Sequence, residues 1–354
     1  MPEGPELHLT CLFINRTCKD QIFSGKILRN PIHKCPDIDW DEPQYTISAE
    51  SKGKEFMLHL NTVLDDMNGG KNKKSQKLHL EPAPSLKKTL SIRFTFGMSG
   101  RFDFTPENEC PKHSHLRFIT KSEPKMSLSF VDYRRFGKWF VGGQWSPDRG
   151  PCVIGEFESF VENIVNNMDN PSFNKPICEV LLNQKFFNGI GNYLRAEILL
   201  RCKVPPFEKA NNILRLNEFK EETSDIKAEI KNSTTKQAKA AKNGGKHSAE
   251  SLMNDVKLER NTSNQQDYKT KSVIEKLTPQ AQELLKLCHT VPIEVVNLGS
   301  TKYALADMYA EDQEDGSLSF NTWLQCYYQP GMKNLVDHNK RTIWFSGPAG
   351  PLVP

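Results

Sequence analysis

The apolar residues of this chain follow two different periods, and the change between them divides the sequence. In its first part, Leu90, Ile92 and Phe94 alternate with polar residues, and the alternation returns at residues 116–118 and 128–130. A period of two is typical of antiparallel strands that bury one face. We therefore predict an antiparallel sheet domain over residues 1–150.

A helical period precedes this sheet region. Leu7, Cys11, Ile14 and Cys18 recur every three or four residues directly after Pro5. A proline in the first turn suits a helix start, because its missing N–H would have no partner there. The pattern predicts an N-terminal helix that lies on the core and fixes the position of the residues before it.

A second helical region follows the sheet region. We predict a helical domain over residues 151–300 and a C-terminal part over residues 301–354. Apolar residues recur at helical spacing in 157–164, 177–181, 194–199 and 279–287.

Two polar stretches interrupt these patterns. Residues 65–85 are rich in glycine and lysine, and residues 211–276 are poor in aromatic residues, so both are predicted to be disordered. The second stretch is interpreted as a plain linker, with auxiliary DNA contact or nuclear targeting as the alternatives. Its lysines within a run that lacks carboxylates are Lys231, Lys236, Lys239, Lys242 and Lys246.

The last part of the chain predicts a β-hairpin. Residues 326–328 and 342–345 are rich in aromatic and β-branched residues and flank the polar residues 337–340. Arg341 is expected near the tip of this hairpin.

Composition narrows the class of protein. The 354 residues are 37% hydrophobic and 25% charged, with a net charge of +4, which fits a soluble globular protein with a polyanionic partner. Apolar runs of about 18 residues and a secretory signal are lacking, so an intracellular location is expected. The nine cysteines never form a C-x-x-C pair, which argues against a zinc ribbon and favours buried thiols.

The first residues carry the sharpest chemical signal. Removal of Met1 leaves Pro2 with a secondary amine, which titrates near ~8 and is partly unprotonated at neutral pH. A proline amine that attacks a carbon forms an iminium, and Glu3 beside it can move protons. Many proteins begin Met-Pro without any catalytic role, so this motif alone leaves the structural alternative open.

A glycine-bearing turn precedes the third helical segment. In Gly189-Ile190-Gly191-Asn192, the two glycines allow close backbone approach, and the amides at a helix start can bind a phosphate. The Asn192 side chain can add an amide. Plain helix packing is the alternative reading of such a turn.

Three residues beside glycines have the chemistry of DNA wedges. Met98 lies between Gly97 and Ser99-Gly100, and Arg134 and Phe136 precede Gly137. Apolar wedges fill the gap that an extruded nucleotide leaves, and arginine can bind the orphaned base. Taken singly, Met98 and Phe136 are also compatible with the core. Lys54, after Gly53, is either a solvated charge or a group that holds phosphates or shuttles protons.

These motifs together resemble the formamidopyrimidine-DNA glycosylase and endonuclease VIII family, and in particular its vertebrate branch whose finger lacks zinc. The resemblance covers most of the chain outside the polar stretches. The matching segments are the Met-Pro-Glu-Gly-Pro-Glu start, Gly53-Lys54 and residues 96–100, 131–137, 176–201 and 341–345.

The resemblance implies an α+β fold. It comprises an N-terminal antiparallel β-sandwich, a helix–two-turn–helix domain and a C-terminal zincless-finger β-hairpin, with no metal and no cofactor. By matching position, Pro2 is the nucleophile, and Glu3 and Lys54 are the acid–base groups. The implied DNA-binding residues are Asn192 and Arg341 as phosphate clamps, with Met98, Arg134 and Phe136 as void fillers.

The implied function is a bifunctional DNA glycosylase and AP lyase of base excision repair. It removes oxidised pyrimidines and ring-opened purines through a Pro2 Schiff base and then cuts by β,δ-elimination. The expected partners are damaged duplex or bubble DNA and downstream repair proteins, and the expected state is a monomer in the nucleus with a share in mitochondria. A catalytically silent damage-binding protein and, more remotely, an RNA-binding protein are the alternatives.

Lesion recognition is expected to depart from the family pattern. The implied lesion contacts are Glu6 and the loop residues Thr301, Lys302 and Tyr303, where Thr301 takes the position of a lysine and Lys302 follows it. Asn321 replaces an arginine, and the basic C-terminal tail of the relative has no counterpart before Pro354. The loop difference and Asn321 bear on lesion preference, and the missing tail bears on protein partners and nuclear import.

Overall fold

The computed structural model describes residues 2–63, 88–217, 273–300 and 319–354. They form two compact units, the first running to Ser146 and the second beginning at Pro147. The predicted disordered stretch 65–85 lies outside the described residues, as do Thr301, Lys302 and Tyr303. The three predicted domain ranges stay a prediction.

The first unit contains an N-terminal helix and two antiparallel sheets. Helix α1 spans Gly4–Thr17. The five-stranded sheet has the order β1-β3-β4-β5-β9 and the four-stranded sheet the order β2-β7-β8-β6. The strands are β1 Phe23–Lys26, β2 Leu28–Arg29, β3 Asp41–Lys52, β4 Glu55–Thr62, β5 Thr89–Thr95, β6 Arg101–Pro106, β7 Ser114–Ile119, β8 Met126–Val131 and β9 Lys138–Val141.

Aromatic residues from both sheets fill one core. Phe56 and Phe94 of the first sheet contact Phe102 of the second, with ring centroids 5.3 and 5.2 Å from Phe102, and all three are buried. Phe130 lies 5.4 Å from Phe102. Large aromatic side chains supply most of the buried apolar area in such a core. The predicted β-sandwich is confirmed.

Helix α1 begins where the sequence predicts and packs as expected. Leu7, Cys11 and Ile14 are buried in the same core, and Pro5 lies in the first turn. Asn15 fixes the helix to strand β3, because its amide accepts from the Ala49 N–H at 2.7 Å and donates to the Ala49 carbonyl at 2.8 Å. The helix is therefore held by both apolar packing and backbone-directed hydrogen bonds.

The second unit is mostly helical and ends in a two-stranded sheet. Helix α3, the turns at residues 181–191 and helix α4 form the predicted helix–two-turn–helix element. The elements are α2 Phe157–Asn166, α3 Ile177–Val180, α4 Asn192–Arg201, α5 Ala210–Ile213, α6 Pro279–Ser300, α7 Phe320–Trp323, β10 Lys333–Val336 and β11 Thr342–Phe345. We call residues 333–345, which comprise β10, the turn and β11, the hairpin.

Three predictions about this unit need correction. Helix α6 extends to Ser300 rather than ending near Leu287, and it continues through Pro292. The predicted disordered stretch 211–276 is ordered at both ends, because Ile213, Leu214 and Val273 bury their side chains, and the rest of it lies outside the described residues.

The third correction concerns the hairpin. Residues 326–328 form a turn rather than its first strand, which is β10. Their aromatic composition favours a strand, but the N–H groups of Cys326 and Tyr327 bond the buried Glu197 carboxylate at 2.9 and 3.0 Å. Tyr328 then takes a left-handed φ of 59°. Arg341 directly precedes β11, at the tip as predicted.

Candidate functional site

The N-terminal residues are fixed by the start of helix α1. Glu3 caps the helix and is 1% exposed, and the Glu6 carboxylate accepts the Glu3 N–H at 2.8 Å in a reciprocal capping box. The partial positive charge of a helix N-terminus favours both carboxylates. Pro2 is half-buried directly before this cap. The arrangement holds a carboxylate and the preceding proline in a defined conformation.

Glu6 therefore has a structural role that the sequence analysis did not assign to it. Its side chain is 5% exposed and completes the cap of α1. The prediction that it also contacts the lesion stays a prediction.

Lys54 lies in the two-residue turn between strands β3 and β4. Lys52 and Glu55 pair across this turn, and Gly53 adopts a φ of 58°. Glycine at the first position of a two-residue hairpin turn supplies the positive φ that the turn requires. The half-buried Lys54 is thus presented at the end of the strand pair on which α1 packs.

A buried acid fixes the chain directly after Lys54. Glu55 is 1% exposed, accepts the Ser146 N–H at 2.9 Å and pairs with the Arg93 guanidinium at 3.1 Å. The buried charge of Glu55 is thus compensated by a cation and by hydrogen bonds from the Ser146 N–H and hydroxyl. The sequence analysis missed this group, because the partners of Glu55 lie far away along the chain.

The structure brings Met98, Arg134 and Phe136 together. Met98 and Phe136 are 43% and 58% exposed, and an Arg134 guanidinium nitrogen lies 3.4 Å from the Met98 sulfur. Exposed apolar side chains on adjacent loops make an unusual surface for a soluble domain. The core reading of Met98 and Phe136 is therefore wrong. We call residues 97–100 and 132–137 the wedge loops.

Tyr133 belongs to the same surface and was missed by the sequence analysis. It is 55% exposed, and its hydroxyl accepts the Arg134 Nε–H at 3.2 Å. The Arg134 guanidinium also lies 5.6 Å from the Tyr133 ring centroid. The sequence signal that could have identified Tyr133 is its place in the aromatic and cationic run Tyr133-Arg134-Arg135-Phe136.

The buried carboxylate of Asp132 joins the two wedge loops. Asp132 is fully buried and accepts the Gly137 N–H at 2.7 Å, the Arg134 N–H at 3.2 Å and the Ser99 hydroxyl. The loops also touch directly, since a Cβ at Gly97 would lie 2.7 Å from the Phe136 carbonyl carbon. Asp132 thereby fixes the backbone from which the wedge side chains project.

Two neutral histidines lie beneath the wedge loops. The Nε2 atom of His115 lies 2.9 Å from the Asp132 carbonyl oxygen, and the His33 ring stacks on Trp139 at 4.3 Å. Burial lowers the pKa of both histidines below the usual value. Their rings therefore support the loop without adding charge at neutral pH.

In the second unit, Asn192 connects helix α4 to the hairpin. Gly191 caps the helix, and the Asn192 side-chain amide donates to the Thr342 carbonyl at 2.9 Å. The Asn192 Oδ1 is buried without a hydrogen-bond partner among the described residues. Thr342 follows Arg341, so this hydrogen bond links the two predicted phosphate clamps, Asn192 on helix α4 and Arg341 in the hairpin.

A buried ion pair anchors the turn of the hairpin. The Arg195 and Asp337 side chains are both 0% exposed and meet at 2.7 Å. Asp337 Oδ1 also accepts the N–H groups of Asn339 and Arg341 at 2.9 Å each. Arg341 itself is exposed. The ion pair thus sets the backbone position of a cation whose side chain can reach a phosphate.

Two further acids hold the segments around this pair. Glu179 accepts from the His338 N–H at 3.0 Å and lies 2.6 Å from its Nδ1. Glu197, as described above, holds the turn before the hairpin. Tyr328 in that turn is 67% exposed and lies 5.0 Å from the Trp344 ring. Sequence reasoning missed the acids and Tyr328.

Comparisons with known proteins show the fold and the family of this chain. The family model described as the formamidopyrimidine-DNA glycosylase N-terminal domain matches residues 1–139, and the one described as endonuclease VIII-like 1, DNA bind, matches residues 318–354. The solved structure of the MutM (Fpg) protein from Thermus thermophilus has a TM-score of 0.55, with 17% identity over 98% of this chain and 97% of that one. That likeness shows the shared fold.

The chain belongs to the formamidopyrimidine-DNA glycosylase and endonuclease VIII family, and it is therefore a DNA glycosylase and AP lyase of base excision repair. Within that family it is similar to endonuclease 8-like 1. The human protein of that name is 39% identical over all of this chain and 74% of its own length. The mouse protein is 40% identical over all of this chain and 75% of its own length.

No helix among the described residues is long and apolar enough to span a membrane.

Proposed function

We propose that this glycosylase removes oxidised bases, chiefly oxidised pyrimidines and ring-opened purines, with Pro2 as the nucleophile. The observation that carries the proposal is the capping box, which holds Glu3 and the half-buried Pro2 at the start of a helix anchored in the core. A nucleophile and an acid–base group need such fixed positions.

The chemistry follows from the residue types. The Pro2 nitrogen attacks C1′ of the damaged nucleotide and gives up its proton, while the base leaves with the electrons of the glycosidic bond. The C1′–O4′ bond then breaks and O4′ takes a proton, so that C1′ and the Pro2 nitrogen form an iminium. The resulting iminium draws electrons from C2′, so a base can remove a C2′ proton. The 3′ phosphate then leaves by β-elimination, and a δ-elimination expels the 5′ phosphate.

Glu3 and Lys54 divide the proton transfers. Glu3 follows the nucleophile in sequence, and its carboxylate can take or return a proton during ring opening and elimination. Lys54 projects from a tight turn whose next residue is fixed by a buried ion pair. An ammonium at that turn can serve as the second proton donor or hold a phosphate.

DNA binding is assigned to both units. Met98, Phe136 and Arg134 fill the gap left by the extruded nucleotide, because they are exposed and share one rigid frame. Arg341 and the Asn192 amide bind backbone phosphates, because they lie on one joined element with an exposed cation at its tip. Lesion preference is assigned to Glu6 and the loop that contains Thr301, Lys302 and Tyr303.

The biological setting completes the proposal. The protein acts as a monomer on damaged duplex or bubble DNA, works in the nucleus with a share in mitochondria, and hands its cut product to downstream repair proteins. Support for the nuclear site comes from its membership of a base excision repair family.

Borohydride trapping on a duplex with one oxidised pyrimidine tests the proposal. The processed wild type should form a covalent adduct and nick the strand. A variant with one extra residue before Pro2 should lose both, whereas Pro2→Gly should keep part of the adduct, since glycine still offers an amine.

Glu3→Gln and Glu158→Gln form a matched pair for this test. Glu158 lies on helix α2 in the second unit and has no assigned role, so its variant should act like the wild type. A wild type that binds the lesion duplex but yields neither adduct nor nick would support the silent damage-binding alternative.

A further inference from the structure

A second polar cluster lies on the outer face of the four-stranded sheet. Ser127 and Ser129 alternate with the core residues Leu128 and Phe130, so their side chains point away from the aromatic core. Both serines are nevertheless 0% exposed and lie 2.9 Å apart through their hydroxyls. The proposed glycosylase chemistry uses none of these groups.

An open pocket of about 410 Å³ lies beside this cluster. Its volume is within the range of small-molecule sites. The residues that line it include cations and a thiol, and none of its described lining residues is a carboxylate. Those with reactive or hydrogen-bonding side chains that matter here are Arg29, Cys110, Lys112, Ser114 and Arg117.

The pocket contains polar groups whose charge or hydrogen-bonding capacity is not used by the described residues. Arg29 is already paired with Asp37 at 2.6 Å. Arg117, in contrast, has no carboxylate partner among the described residues, and Lys112 is exposed. Ser114 is 7% exposed, and its buried hydroxyl has no hydrogen-bond partner in the described part of the chain. This combination suits a small anion with several acceptor atoms.

Cys110 is the reactive group of the pocket. Its sulfur is half-buried and lies 3.8 Å from the Ser129 hydroxyl. Burial acts to raise the pKa of the thiol, but hydrogen bonds from Ser127, Arg117 and Ser129 and the Arg117 charge outweigh it, so the pKa lies below the usual value. A thiolate beside a cation is the nucleophilic form of cysteine.

Several cysteines of the chain whose thiol groups are more deeply buried behave in the opposite way. Burial raises the pKa of Cys11 to about 11 and those of Cys18, Cys178 and Cys202 to about 12. These thiols stay protonated at neutral pH. Cys202 is the natural internal control, because it is half-buried like Cys110.

We propose that this pocket binds small anionic disulfides of the glutathione type and that Cys110 forms a mixed disulfide with them. Arg117 and Lys112 bind the carboxylates, and the Ser114 hydroxyl takes one hydrogen bond. The Cys110 thiolate attacks one sulfur of the disulfide, forms a new S–S bond and expels the second half as a thiolate. The electrons balance without a further oxidant, and an external thiol reverses the step.

The test exposes the full-length protein to oxidised glutathione at neutral pH, with intact-mass and peptide mapping over time. Cys110 should react at least about tenfold faster than Cys202. Arg117→Gln should slow the Cys110 reaction about tenfold. The substitution removes the guanidinium that binds a carboxylate of glutathione, and it also removes the positive charge that favours the Cys110 thiolate. Cys110→Ser should abolish the adduct at this peptide.

Two further measurements separate binding from simple reactivity. The uncharged bis(2-hydroxyethyl) disulfide should react with Cys110 several-fold more slowly than oxidised glutathione, and the exposed Lys112→Gln should narrow that difference while leaving the fold intact. Equal rates at Cys110 and Cys202, or equal rates for the two disulfides in the wild type, would overturn the proposal. Strand nicking by Cys110→Ser and Lys112→Gln should match the wild type.

Discussion

The wedge loops of the first unit and the hairpin of the second both expose side chains that we assign to DNA, yet buried charges hold them differently. In the wedge loops, the Asp132 carboxylate receives backbone and hydroxyl donors. In the hairpin, Asp337 is paired with the fully buried Arg195, Glu179 holds the turn through His338, and Glu197 holds the segment before the hairpin.

The loss of each acid should therefore affect a different part of the protein. An acid that receives backbone donors on a surface loop fixes local geometry, so its loss should act mainly on that loop. A fully buried ion pair leaves an uncompensated charge when one partner is removed, so its loss should act on the whole unit.

The largest expected effect comes from breaking the buried pair. Asp337→Ala leaves Arg195 buried without its carboxylate and should reduce the free energy of unfolding by about 3–5 kcal/mol in chemical denaturation. Replacing the exposed Asp41 by Ala is the matched control and should change it by less than about 0.5 kcal/mol. Equal stability of the two variants would show that the pair does not anchor the hairpin.

Removing the wedge-loop acid should have the next largest effect. Asp132→Ala leaves the Gly137 N–H without its acceptor and the Arg134 N–H with only the Ser99 hydroxyl, and it should cost about 1–3 kcal/mol. Base extrusion is followed with a fluorescent base analogue beside the lesion. Its rate should fall by more than the decrease in the folded fraction of the variant accounts for. Ser99→Ala removes one donor and should cost less. An unchanged extrusion rate in Asp132→Ala would show that Asp132 does not position the wedge side chains.

These acids mark the limit of what the sequence predicts. Period and turn residues identified helix α1 and the sheet domain, because those signals are local, whereas the predicted wedge role of Met98, Arg134 and Phe136 came from the family resemblance. Asp132 and Asp337 look like surface residues in the sequence, and the partner Arg195 lies 142 positions from Asp337. Likewise, residues 326–328 have strand composition, but Glu197 from helix α4 takes their N–H groups.

Salt dependence should separate the two regions by their kind of DNA contact. Arg341→Ala should flatten the slope of log K against log salt by about 0.9 for one lost phosphate contact. Phe136→Ala should leave that slope unchanged and slow base extrusion, because an exposed wedge carries no charge. Identical slopes for Arg341→Ala and the wild type in a binding titration would refute the phosphate role.

The smallest expected effect concerns the strained turn before the hairpin. Tyr328 has a φ of 59°, which costs a residue with a side chain about 1 kcal/mol relative to glycine. Tyr328→Gly should therefore be more stable than Tyr328→Ala by about that amount in thermal unfolding. If the alanine variant equals or exceeds the glycine variant, the turn is not strained at this position.

Tandem mass spectrometry of the borohydride-trapped complex locates the nucleophile. After digestion, the assignment of Pro2 requires that the reduced sugar is attached to the Pro2 nitrogen in a peptide that lacks Met1. Attachment to Lys54 or to another lysine in protein that still cuts damaged strands would contradict it.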